Sequence, residues 1–421
     1  MLPNLTPDTA LAQRLFDTLR EQSFDGVGIT REAYGPGERM AHALVAEAGE
    51  ALGLERKVDP LGNLYLTLPG TDRRAKRVVL GSHLDTVPEG GNFDGAAGVL
   101  AGLAAVAGMK QSGFVPARDI TVMAIRAEEA GAWFPTSYPG SRGALGLLRP
   151  EELAVKRLDS GRTLEAHMRE EGFDPDFARA GRRALSAEDT AAYLEIHIEQ
   201  GPVLEAEGIP LGIVTGIPGS RRLRKARVVG EYNHSGATPR KYRRDAAIAL
   251  AELAVTLDEA WCRLDSKGHA LVCTFCELAT TEAAGFTKIP GEARFQLDVR
   301  SVEGPAVDAI FDVLHAAIPE IAARRGVTFE LGTETGSRAA PMDAGVRAAL
   351  GRAADGLGIA HRPMASGAGH DAAAFALAGI PAGMLFVRNQ NGSHNPKEAM
   401  RMDDFEMACA VMQRFAAEYG A

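Results

Sequence analysis

The chain has little cysteine: Cys262, Cys273, Cys276 and Cys409 are the four in 421 residues. That is no framework for a disulfide-stapled domain. Cys273-Thr274-Phe275-Cys276 has the spacing of a zinc knuckle, but no second pair completes four ligands, and the run around it is apolar and strand-like. Buried free thiols are expected there. Long hydrophobic runs are missing, so no segment is expected to span a bilayer. Met1-Leu2-Pro3-Asn4-Leu5-Thr6 has neither a basic nor an apolar leader region, which makes the cytoplasm the expected location. Positive charge is not in excess. The net charge of −9 argues against a nucleic-acid partner. The basic cluster of Arg221, Arg222, Arg224, Lys225 and Arg227, with Arg240, Lys241, Arg243 and Arg244, lacks the interleaved aromatics of single-strand binders. It reads as a solvated face biased toward anionic substrates. No glycine-rich loop cradles a phosphate, and Ser141 and Ser366 lie beside glycines without forming a nucleophile elbow. Aromatics make up 6% and apolar residues 46%, the composition of an ordinary globular protein. The length exceeds one core, so two domains are expected.

What is present is a set of strand ends that carry metal-binding side chains. Arg77-Val78-Val79-Leu80 reads as a short buried strand delivering His83 and Asp85 to its carboxyl end, and Asp94 follows where the chain turns into the small-residue helix Gly98–Met109. An imidazole and a carboxylate so placed can bind one divalent ion, while Asp85 can accept the other ring proton of His83 and fix its tautomer. Asp119–Ala127 is a second strand, emptying into Glu128 and Glu129. Adjacent residues on an extended chain point to opposite sides, so one carboxylate can ligate metal while the other faces a metal-bound water. In the third, Ala191–Gln200, alternation puts Glu195, His197 and Glu199 on one face and Leu194, Ile196 and Ile198 on the other. The fourth, Gly379–Arg388, leads to His394. Ligands of open α/β sheets bind outside the carboxyl ends of strands. Three imidazoles and two or more carboxylates exceed the needs of one catalytic zinc and suit two ions sharing a carboxylate.

These residues lie in GSHLDTVPEGGNFDG, AEEAGAWF and LEIHIEQGPVLE, which are followed by HSGATP, IPGEARFQLDVRS, SGAGHDA and GSHNPKEA. In that order they resemble the two-metal aminoacylase/carboxypeptidase superfamily of metallopeptidases. Within it they are similar to the hydantoinase/carbamoylase branch: N-carbamoyl-L-amino-acid hydrolase, β-ureidopropionase and allantoate amidohydrolase. The resemblance covers nearly the whole chain. It implies an α/β fold: a discontinuous two-metal hydrolase domain with a mixed central sheet flanked by helices, plus an inserted α+β lid and dimerisation domain. It implies that His83, Asp94 and His197 hold one metal and that Asp94 bridges to a second held by Glu129 and His394. Glu128 would be the general base toward a metal-bridged water. His234 would reach from the lid of a partner subunit in a homodimer and polarise the scissile carbonyl. Gln200, Thr287, Arg300 and Gly369 sit where the family contacts substrate, Arg300 pairing with its carboxylate. The implied reaction is hydrolysis of a C–N bond in a small carboxylate-bearing ureido or N-carbamoyl compound. The alternatives are an N-acyl amino acid deacylase or small-peptide hydrolase of the same superfamily, and a non-catalytic metal-binding relative; retention of Glu128 speaks against the last. Zinc is the expected ion, and manganese, cobalt and nickel suit the same ligands.

Two positions depart from the branch pattern. Ala130 separates Glu128-Glu129 from Gly131, and Thr287 stands where many relatives carry a substrate-binding Asn. A threonine offers a single short hydroxyl in place of an amide. Along the rest of the chain, residues 135–190 read as a charged, helix-rich insertion. The strand pattern Leu211–Ile217 ends in Pro218-Gly219, a turn signal and hinge. Strands at Ala226–Tyr232, Ala270–Leu278 and Ala293–Arg300 alternate with helices at Asp245–Cys262 and Pro305–Arg325. The catalytic domain is therefore placed at 1–216 and 335–421, and the lid at 217–334.

Overall fold

The structure, a computed structural model, describes residues 5–419. The chain packs into two units, the first ending at Thr215 and resuming at Pro341, the second being Gly216–Ala340.

The first unit is built on an eight-stranded mixed sheet. Its strands Ile120–Ile125, Arg77–His83, Thr190–Ile198 and Ala382–Val387 lie side by side and run parallel. They are almost wholly buried, as strands covered on both faces must be. Parallel direction brings all four carboxyl ends to one edge, and the segments carrying the candidate ligands follow those ends. Antiparallel strands Leu64–Leu68 and Leu211–Val214 continue the sheet on either side. The alternation in Thr190–Ile198 separates two environments. Leu194, Ile196 and Ile198 enter the large apolar core. Tyr193, on the other side, stacks on Phe375 of the helix Asp371–Leu377, with ring centroids 3.7 Å apart. The helix Ala96–Gln111 is buried along nearly all its length because its glycines and alanines let it lie close to the sheet. A Cβ on Gly98 would stand 2.2 Å from the Ile196 carbonyl oxygen. Within 135–190, the short helices Leu164–Glu170 and Pro175–Arg179 pack with Trp133, Phe134, Tyr34 and Leu61 around a separate small core.

The second unit is a five-stranded antiparallel sheet whose strands Leu271–Thr280, Glu292–Ser301, Gly219–Val229 and Thr328–Glu330 are adjacent in that order, with Thr333–Ser337 also on Gly219–Val229. Helices Ala246–Asp265 and Gly304–Arg325 cover one face. Two expectations shift here. Pro218-Gly219 is no turn: an eleven-residue strand starts at Gly219. Its charges do not interrupt it, because Arg221 pairs with Glu334 and Asp308, Arg222 with Asp298, and Arg227 with Glu330. The return to the first unit falls at Pro341, later than 335, since Thr333–Ser337 zips onto Gly219–Val229 from Thr333 opposite Arg224 to Ser337 opposite Ser220.

The four cysteines are free. Cys273 and Cys409 are buried, and burial pushes the Cys273 thiol up to about 11. Cys262 is exposed, and so, contrary to expectation, is Cys276, which falls at a β-bulge between Phe275 and Glu277. Among the described residues, no helix is long and apolar enough to cross a membrane.

Candidate metal centre

His83 ends its strand fully buried, and its Nδ1 lies 3.0 Å from the main-chain oxygen of Asp85. His197 is likewise buried, with Nδ1 2.9 Å from the carbonyl of Ile198. A ring nitrogen facing a carbonyl must donate, so in both neutral rings the proton sits on Nδ1 and Nε2 carries a lone pair. The two Nε2 atoms are 3.4 Å apart and stand 3.4 and 3.2 Å from Asp94 Oδ1, which has no hydrogen-bond partner. Three lone pairs thus converge in a buried space with no proton among them. By the chemistry of its donors this group could hold a cation. The electrostatics agree: burial opposes charge on His83, but Glu128, Asp85 and Asp94 outweigh it and push the imidazole well above its ordinary range. His197 is also pushed up, Asp94 overcoming burial. The surroundings ask for positive charge.

A second set shares the same carboxylate. Glu129 Oε1 is 2.7 Å from His394 Nε2, which is 3.6 Å from Asp94 Oδ2. The hydrogen bond that His394 donates to Glu129 raises the imidazole to about 9 against the opposing effect of burial. Ligating atoms of His83, Asp94 and His197, and separately of Asp94, Glu129 and His394, lie within 4.8 Å of one another. Glu195, His197 and His370 form a further such group, but Glu195 is already held by Ser82 Oγ at 3.0 Å and the amide of Ala372 at 2.9 Å.

Gly95, next to Asp94, has φ of +64°, and a Cβ there would sit 2.3 Å from the His83 ring; only glycine lets the loop come this close. Asp85 plays a different part from the one expected of it. Its own carbonyl is the nearer partner of His83 Nδ1, while its carboxylate oxygens stand at 3.4 Å or beyond. Those oxygens accept the amides of Glu128 at 3.1 Å and Glu129 at 3.0 Å. Asp85 therefore fixes the turn that carries both glutamates, a turn entered through Ala127 at φ +58°. Ala130, the extra residue, starts the one-turn helix Ala130–Trp133. Glu128 is buried, 3.9 Å from His83 Nε2; burial, with Glu129, Asp371 and Asp85 nearby, pushes its carboxyl well up against the pull of His83.

Gln200, at φ +64°, donates from Nε2 to Asp94 Oδ2 at 2.7 Å and lies 3.3 Å from His394 Nε2. Gly369 backs onto Tyr138, whose hydroxyl would be 1.9 Å from an added Cβ. Glu199 shares a face with His197 but accepts the amides of Val203 and Leu204 at 2.8 Å, capping the helix Val203–Glu207. In the second unit, His234 is exposed on the two-residue strand Asn233–His234, paired with Lys288–Ile289. Thr287 meets it through the main chain: its carbonyl accepts the Ser235 amide at 2.9 Å. Arg300 donates from Nε and Nη2 to Asp298 Oδ2, at 3.0 and 2.8 Å.

Residues that the sequence does not single out tie the loops together. Glu398 is 5% exposed, and its Oε1 accepts the amides of Phe93 at 2.9 Å and Asp94 at 3.2 Å. Ser393 Oγ stands 2.6 Å from both Asp94 Oδ2 and Glu398 Oε2. Burial and then Asp94 raise Glu398 to about 7. Arg31, fully buried, reaches the Leu84 carbonyl at 2.5 Å and Asn92 Oδ1 at 3.2 Å, bracing the segment between His83 and Asp94. The only hint was position: Glu398 stands four residues after His394 in GSHNPKEA, in a polar Asn/Pro segment that reads as exposed.

The sequence pattern of peptidase family M20/M25/M40 matches residues 79–418, a span that includes every side chain of both clusters. The chain belongs to that family. Among M20 relatives it is 34% identical over 414 residues to an N-carbamoyl-L-amino-acid amidohydrolase of Paenarthrobacter aurescens, covering 97% of this chain and 98% of the relative. It is 34% identical over 377 residues to the allantoate amidohydrolase of Bacillus subtilis (strain 168), covering 89% of each. A hydantoinase/carbamoylase family amidase from Burkholderia ambifaria has the same fold, with TM-score 0.88, 34% identity, and 99% and 98% of the two chains covered.

Proposed function

We propose that this M20 chain is a metal-dependent amidohydrolase that cleaves the C–N bond of a small carboxylate-bearing ureido or N-carbamoyl compound. The observation that carries the reading is the pair of ligand sets meeting on Asp94, with Glu128 beside them and committed to neither. His83, Asp94 and His197 would hold one divalent cation, and Asp94, Glu129 and His394 a second, zinc being the first choice for this imidazole and carboxylate set. When bound, the cations supply Lewis acidity and lower the pKa of a coordinated water toward about 7.

The protein's own groups do the rest. Glu128, held in a dry position by the Asp85-fixed turn, takes the proton from the attacking water and returns it to the leaving nitrogen, a role worth about 10²–10⁴-fold. Asp85 is a positioning residue, setting both glutamates through their amides. His234 donates to the scissile oxygen as charge develops on it. Gln200 and the Gly369 main chain contact the substrate, Thr287 shapes the pocket beside His234, and Arg300 meets the substrate carboxylate with its fork partly anchored by Asp298. A homodimer formed through the second unit would bring His234 to the partner's metal centre. The strand Leu271–Thr280 supports such a contact: it is a sheet edge, with Val272 and Leu278 exposed along it. Carbamoyl hydrolysis releases carbon dioxide, ammonia and the free amine.

The test is ammonia release from N-carbamoyl amino acids, β-ureidopropionate and allantoate, with amine release from N-acetyl amino acids and dipeptides in parallel. Metal-stripped protein is reloaded with zinc, manganese or cobalt. Metal-dependent ammonia release is expected from at least one ureido class, and Glu128→Gln should bind metal normally while kcat drops about 10²–10⁴-fold. Amine release from acyl or peptide substrates alone would replace this reading with a deacylase or peptidase. Full turnover by Glu128→Gln would remove Glu128 as the base.

A further inference from the structure

His234 Nδ1 is the acceptor for two main-chain amides of its own turn, Gly236 at 3.1 Å and Ala237 at 3.0 Å. A ring nitrogen that accepts cannot also carry hydrogen, so the neutral ring holds its proton on Nε2. The turn thus sets His234 as an outward-facing Nε2–H donor, the opposite tautomer to His83 and His197, whose Nδ1 atoms face carbonyls. The same turn is held from behind by one side chain. Arg243 Nε donates to the Thr238 carbonyl at 2.9 Å and Nη2 to the Ser235 carbonyl at 2.6 Å, one planar fork spanning both ends of the Ser235–Thr238 segment. The Ser235 amide is tied to the Thr287 carbonyl, and the Thr238 amide to the His234 carbonyl at 3.2 Å. Arg243 therefore belongs to the architecture of this turn, although it stands in a run of basic residues that looks like a solvated face.

We propose that Arg243 is a positioning residue: by gripping the Ser235 and Thr238 carbonyls it aims the Gly236 and Ala237 amides at His234 Nδ1 and so fixes the tautomer that donates to the substrate. This rests on the reading of His234 as that donor. Lysine cannot replace the fork, because a single ammonium on a flexible stem does not span two carbonyls in one plane.

The experiment uses the full-length, zinc-loaded, ¹⁵N-labelled protein, with the ring of His234 assigned by its disappearance in His234→Gln. Wild type should show an unprotonated Nδ1 and a protonated Nε2. Arg243→Ala should give a mixture of tautomers, with kcat down about 10²-fold, the scale of losing one oriented donor, and KM within about twofold. Added guanidinium should restore part of both, and Arg243→Lys should fall between. A protonated Nδ1 in the wild type would overturn the proposal, as would wild-type ring signals and kcat in Arg243→Ala. Normal turnover by His234→Gln would instead overturn the catalytic reading of His234, while the ring spectra of Arg243→Ala still decide whether the arginine sets the tautomer.

Discussion

Asp94 carries more of the candidate site than any other residue, since it belongs to both ligand sets. Its orientation is set by neighbours that are not ligands. Glu398 holds its amide, and Ser393 and Gln200 meet its Oδ2. Such supporting hydrogen bonds typically change metal affinity by 10–100-fold. Glu398→Ala should therefore weaken binding of zinc, read by calorimetric titration of the stripped protein, by about that factor. Glu398→Gln, which can still accept the Phe93 and Asp94 amides and donate to Ser393, should keep most of it. Equal zinc affinity in Glu398→Ala and wild type would mean that the loop holds its shape without this brace.

Between two strands that lead to the candidate ligands, the 135–190 segment is held by ion pairs as well as by a small apolar core. Glu152 accepts both terminal nitrogens of Arg142 at 2.8 and 2.7 Å, the Thr136 hydroxyl at 2.8 Å and the Arg149 amide at 3.1 Å. Burial raises this carboxyl, but Arg142, Thr136 and Arg149 outweigh it and bring it from 4.5 down to about 2. A carboxyl depressed in the folded state stabilises the fold above its ordinary pKa and loses that contribution as pH falls to the folded value. Glu152 should thus contribute fully above pH 4.5 and nothing below about 2. After allowing for screening at the partly open Arg142 side chain, the contribution is about 1–2 kcal/mol. Denaturant titrations from pH 2 to 7 should show Glu152→Gln less stable at neutral pH and the two curves merging at the acid end. Parallel curves across the whole range would show that the pair is not depressed in this way.

For the whole molecule the central question is whether one active site draws on two chains. On the reading that His234 serves the partner's metal centre, His234→Ala and Glu128→Gln are each nearly inactive. Mixing them under conditions that exchange subunits should then recover up to about a quarter of wild-type activity per site, by random pairing of two defects. No recovery, with exchange verified by mass, would place His234 in the site of its own chain. The same question marks the limit of what the primary structure determined. Apolar runs bounded by polar turns made the parallel strands legible, and the order of motifs located His83, Asp94, Glu128, Glu129, His197 and His394 at their ends. These are local signals, carried by periodicity and by residue type. Which acceptor a carboxylate serves is not local. Asp85 turned out to hold amides 43 and 44 residues away, and Glu199 to cap a helix. Glu398 is buried because Gly91 and the Phe93 and Asp94 amides close on it from 304 to 307 residues earlier in the chain. The imidazole tautomers followed from carbonyls and amides that only folding brings into line. The later boundary at Pro341 came from the pairing of Thr333–Ser337 with a strand more than a hundred residues before it. Residue type states which chemistry a side chain can do; packing, by choosing its hydrogen-bond partners, decides which of them it does.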